Sequence, residues 1–111
     1  IEEDWGYMLY HGATSFWETI KGAGDFSDAG SLCHGWSAIP VYLYQAYILG
    51  VKPLEPGFRT FRFDPVTSVL DKAYGKIPTP YGDIVVDWRK ENDSVVCNVT
   101  QPDETTCIRC V

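Results

Sequence analysis

From Ser37 to Leu49 the chain carries no charged residue. The segment is apolar almost all round, as in a helix buried within a larger structure. Pro40 fits such a helix only in its first turn, where the missing N–H breaks no hydrogen bond. Gly50 is a suitable stop, with Pro53 just beyond. The apolar run from Trp36 to Leu49, interrupted by Ser37 and Gln45, falls short of the roughly 20 residues that span a bilayer. A helix of this kind must therefore be covered by protein. Left uncovered, it would expose apolar surface and promote self-association.

After Leu49 the pattern changes. Val51 to Gly57, with Pro53 and Pro56, reads as an extended linker. Phe58-Arg59-Thr60-Phe61-Arg62-Phe63 ends in the alternation of a half-buried strand, and Asp64-Pro65 stops it. Further strands are predicted at Leu70–Ile77, Asp83–Arg89, Val95–Val99 and from Thr105 to Val111. Pro78-Thr79-Pro80-Tyr81-Gly82 and Glu91-Asn92-Asp93 supply turns. Trp88 shares a strand face with Val86 and reads as core. The expected organisation is helical over residues 1–50 and β over residues 51–111.

The N-terminal part mixes aromatics with small residues. Met8-Leu9-Tyr10 suggests a short helix, broken by Gly12-Ala13-Thr14. Thr14 or Ser15 then caps a new helical turn carrying Trp17 and Glu18. Residues from Gly22 to Ser31, rich in Gly, Asp and Ser, form a loop. With 111 residues, the chain is one small domain or a piece of something larger. It opens on Ile1 rather than Met, and its acidic start lacks the basic region of a secretory signal.

Gly12-Ala13-Thr14-Ser15-Phe16-Trp17-Glu18 and Ser31-Leu32-Cys33-His34-Gly35-Trp36-Ser37-Ala38 carry the chemistry. Each places an ionisable side chain beside a tryptophan among small residues, a pattern suited to sugars. Indole faces stack on sugar C–H faces, and a carboxylate handles protons. The net charge of −6, from 15 acids against 9 bases, disfavours a nucleic-acid partner. No basic amphipathic stretch favours a membrane surface. Cys107-x-x-Cys110 is half a zinc site without its second pair, so neither metal nor cofactor is expected. Cys33, Cys97, Cys107 and Cys110 match no recognisable disulfide framework and read as reduced thiols.

Both blocks resemble the end of the catalytic domain of bacterial α-L-rhamnosidases. The resemblance continues through Leu49-Gly50-Val51-Lys52-Pro53-Leu54-Glu55-Pro56-Gly57-Phe58 and Ile77-Pro78-Thr79-Pro80-Tyr81-Gly82-Asp83-Ile84. It implies an α+β fragment: a short helical segment of an (α/α)6 barrel followed by antiparallel β-sandwich strands. Such a barrel needs at least roughly 200 residues, so most of the catalytic domain would lie elsewhere. The resemblance also implies an inverting glycoside hydrolase acting on terminal α-L-rhamnose. Glu18 takes the position of the general base and His34 that of a sugar contact. Trp17 and Trp36 are candidate pocket walls, and Trp5 and His11 lesser ones. The family's general acid lies upstream of these blocks. Asp4, Asp25 and Asp28 are available carboxylates, but no motif promotes them. The fragment alone is expected to be inactive. The alternatives are a non-catalytic carbohydrate-binding or structural module built on the β region, and a split product needing a partner chain.

Overall fold

The computed structural model describes residues 1–92 and 94–110. The chain divides into two compact units, Ile1–Tyr42 and Leu43–Val111.

The first unit opens with helix α1, Trp5–Tyr10. It ends where predicted, with Gly12 at a left-handed φ of 79°. His11 is absorbed by this helix end: its ring stacks on Tyr7 at 3.8 Å and its Nδ1 lies 2.9 Å from the Tyr7 carbonyl. Trp5 Nε1 donates to the Ser37 carbonyl at 2.7 Å. The helical turn expected at Trp17 and Glu18 does not form. The backbone there is committed elsewhere. Glu18 N donates to Ser31 O at 2.8 Å and His34 N to Phe16 O at 2.7 Å. The Ser15 hydroxyl goes to the Leu32 carbonyl instead of capping a turn. Bonding between residues distant in sequence has thus displaced local capping. Between the two tied segments lies the expected loop, with a 3-10 turn at Gly22–Gly24.

The apolar stretch is helical but not uniform. A 3-10 turn at Gly35–Ala38 leads into α2, Ile39–Leu43, and then a π-helical turn, Tyr44–Ile48. Leu49 N closes that last turn on Tyr44 O at 2.8 Å. Gly50 follows at φ 79°. A Cβ there would lie 2.3 Å from Pro65 N, so glycine also permits a close backbone crossing. Trp36, Ile39, Val41, Tyr42, Tyr44 and Tyr47 are exposed along this stretch.

The second unit holds two three-stranded sheets. One has the order β1-β2-β6, from Val51–Pro53, Thr60–Phe63 and Thr106–Arg109. The other has the order β3-β4-β5, from Lys72–Thr79, Gly82–Glu91 and Ser94–Thr100. β1 corrects the linker reading of its segment. It pairs antiparallel with β2, Val51 opposite Phe63 and Pro53 opposite Phe61. Its prolines disguise it, yet Pro53 is admissible because β1 is an edge strand. β2 and β6 run parallel, with Thr60 opposite Thr106, so this sheet is mixed. A parallel pair needs a long crossover, which β3, β4 and β5 supply. The second sheet is a plain antiparallel meander. Its first turn shrinks to Pro80-Tyr81, because β3 runs on to Thr79 and β4 starts at Gly82. The turn predicted at Glu91-Asn92-Asp93 includes Asp93, and the last predicted strand includes Val111; both residues lie outside the described ones.

Val51, Phe61 and Phe63 of the first sheet meet Ile77, Ile84, Val86 and Trp88 of the second in one core. Alternation in β2 and β4 produces it: every second side chain points inward. Cys97 and Cys107 pack against its margin, while Cys33 and Cys110 are exposed, and no disulfide joins any of the four. Burial pushes the Cys97 and Cys107 thiols up, and the Arg109 charge opposes it. Such thiols are poor nucleophiles at neutral pH.

Candidate functional site

The tied segments of the first unit bring three of the four candidate residues together. Glu18 is held through its backbone on both sides. Its N–H donates to Ser31, and its carbonyl accepts from Trp36 Nε1 at 3.0 Å and from the Ser37 hydroxyl at 3.4 Å. The carboxylate is anchored by one oxygen, Oε2, which accepts from Ser31 N at 3.1 Å. Among the described residues Oε1 accepts no hydrogen bond. It faces His34 Nδ1 at 3.7 Å, a distance that makes an ion pair only when the imidazole is protonated. The Glu18 side chain is 18% exposed and that of His34 36%, so both can reach a ligand. The Trp36 ring, 65% exposed, lies 4.6 Å from the His34 ring and tilted 38° to it.

Trp17 is placed differently. Its ring packs against Gly22, where a Cβ would come within 3.0 Å. It serves as a wall of the loop that follows Glu18. Sequence reasoning passed over Ser31 and Ser37. Ser31 acts through its main-chain N–H, which no side-chain pattern reveals. The pattern marks Ser37 only as the start of a helix, yet it is buried between the Trp5 indole and Glu18.

Asp25 knots the loop. Its Oδ2 accepts from the Thr19 hydroxyl at 2.6 Å and its Oδ1 from Phe26 N at 2.9 Å, with Lys21 Nζ 3.7 Å away. Its carbonyl accepts from Ala29 N at 2.9 Å. Between them Phe26, Ser27 and Asp28 all have positive φ, 51°, 60° and 66°. A left-handed conformation costs a non-glycine residue roughly 1–2 kcal/mol, so these bonds hold a strained turn. The Thr19 hydroxyl first, and then the Phe26 amide, hold the Asp25 carboxyl below its usual value of 3.8. The sign follows. The charged form is favoured in the folded state, so its stabilisation is complete above about pH 4 and is lost as pH falls through the lowered value. The Phe26 amide resonance should titrate with a midpoint below 3.8; a midpoint at or above it would contradict this arrangement.

Among the described residues no group of three or more His, Cys, Asp or Glu is placed to hold a metal ion. No helix there is long and apolar enough to cross a membrane.

The helical segment and mixed sandwich match solved rhamnosidases. The GH78 family rhamnosidase of Bacillus sp. GL1 superimposes with a TM-score of 0.85 at 32% identity, over 98% of this chain and 12% of that one. In sequence, an α-L-rhamnosidase of Alteromonas sp. (strain LOR) is 38% identical over 88% of this chain. Another, from Formosa agariphila, is 30% identical over 92%. The chain spans only 11% and 12% of the length of these two relatives. The fold is thus that of the C-terminal region of a class of glycoside hydrolases. Residues 50–111 match the bacterial α-L-rhamnosidase C-terminal domain, and the chain belongs to that family.

Proposed function

We propose that this chain supplies the general base and part of the sugar site of an inverting α-L-rhamnosidase, with terminal α-L-rhamnosides as substrates. The carrying observation is the asymmetry of Glu18: one carboxylate oxygen is fixed by Ser31 N–H and the other opens toward His34. Inversion requires a carboxylate that takes a proton from water on the face opposite the leaving group. An anchored carboxylate with one available oxygen is suited to that work. His34 can donate to or accept from a sugar hydroxyl, and the exposed Trp36 face can stack on the ring. Protonation of the leaving group belongs to a second carboxyl, about 6.5–9.5 Å from the first, outside the blocks that resemble the family. On this reading the isolated chain binds sugar weakly and does not turn it over.

A titration with L-rhamnose tests the site. Shifts of the Trp36 indole and His34 ring resonances, lost in Trp36→Ala, support it. A second reading, sugar binding by the β unit, rests on a groove of about 340 Å³ lined by Tyr44, Leu70, Lys72 and Tyr74 among others. Shifts confined to Tyr44 and Tyr74 would favour that reading and count against the first.

A further inference from the structure

We propose that Asp25 is a positioning residue for Glu18. This deepens the reading of Glu18 as the base and rests on it. Thr19 directly follows Glu18, and its hydroxyl is tied to Asp25 Oδ2 at 2.6 Å. The same carboxylate receives Phe26 N, and the Asp25 carbonyl receives Ala29 N. Asp25 thereby fastens the left-handed turn Phe26–Asp28 to the residue beside the base. The loop leaves the turn through Gly30, whose N–H donates to Ala23 O at 3.3 Å, and delivers Ser31. Gly30 has no room for a Cβ, which would lie 1.9 Å from the Gly22 carbonyl oxygen. Ser31 then presents its N–H to Glu18 Oε2. Both ends of the carboxylate's setting are thus tied to Asp25: its side chain holds Thr19 and Phe26 N, and its main-chain carbonyl holds Ala29 on the way to Ser31. Asp25 makes no hydrogen bond to the Glu18 carboxylate itself. It acts by keeping Oε2 occupied, so that Oε1 is the oxygen left for the reaction.

The test uses the 111-residue chain labelled with ¹⁵N. At pH 7 the downfield displacement of the Ser31 amide proton reports its hydrogen bond to the Glu18 carboxylate; Glu18→Ala should abolish that response. Asp25→Ala and Thr19→Val should each reduce its amplitude by half or more, and Thr19→Ser, which keeps the hydroxyl, should retain it. The Trp5 indole N–H, bonded to Ser37, reports whether the unit remains folded. Should Asp25→Ala unfold it, the Thr19 pair decides. Loss in Thr19→Val with retention in Thr19→Ser supports the proposal. A full response in Thr19→Val, or in a folded Asp25→Ala, overturns it. The readout needs no turnover, so failure here is separable from failure of the base assignment.

Discussion

Replacing Trp88 by alanine should unfold the β unit. The side chain is fully buried at the centre of β4, between β3 and β5, where it faces Ala73 on one side and Cys97 on the other. It is the largest member of the core shared by the two sheets. Its Nε1 donates to the Ile48 carbonyl at 2.8 Å, tying the π-helical turn to the sheet. Truncating a buried tryptophan costs about 3–5 kcal/mol, and the abandoned carbonyl adds about 1–3 kcal/mol if it stays dry. A unit of this size is stable by only roughly 3–10 kcal/mol. Urea unfolding followed by far-UV circular dichroism measures the loss. Trp88→Phe separates volume from hydrogen bond and should cost less than alanine. A Trp88→Ala chain that unfolds within about 1 kcal/mol of the parent would mean that the core does not depend on this residue.

Glu18→Gln should lower turnover about a thousandfold, within the 10²–10⁴ range of general base catalysis. The measurement needs an enzyme with a complete barrel. A chimera in which this segment replaces the matching part of the Alteromonas α-L-rhamnosidase provides one. Glutamine has nearly the shape of glutamate and retains an oxygen for Ser31 N–H, so the tied segments should persist. It cannot take the proton from water. On the proposed reading His34 and Trp36 keep their contacts with the sugar, so the loss should fall on kcat with KM nearly unchanged. A raised KM with kcat preserved would instead make Glu18 a binding residue.

Parts of this structure are legible in the sequence because period and burial agree there. Ile84, Val86 and Trp88 fall on alternate positions of a run flanked by Asp83, Asp87 and Arg89, and β4 follows. Phe61 and Phe63 do the same for β2. β1 was hidden because Val51-Lys52-Pro53 is short and proline-rich, and its partner β2 supplies the evidence that it is a strand. The non-helical path at Trp17 and Glu18 is hidden for a related reason. Thr14 and Ser15 are good caps locally, but backbone bonds to residues 31–34 outweigh them. The motifs pointed to Glu18, His34 and Trp36, which the structure brings together. Ser31 and Asp25 act through an amide and a loop knot, and neither leaves a motif.

The parallel partnership of β2 with β6 has a bearing on the order in which the unit assembles. β3 pairs with β4 and β4 with β5, so these three can zip together as soon as their residues are available. β2 must wait for Thr106 to Arg109, on the far side of the meander, to gain its second neighbour. Distant pairings form late because closing a long loop is entropically opposed. During synthesis the meander therefore comes first. The sheet that carries Val51, Phe61 and Phe63 is completed only after it, and until then those three side chains have only part of their shelter.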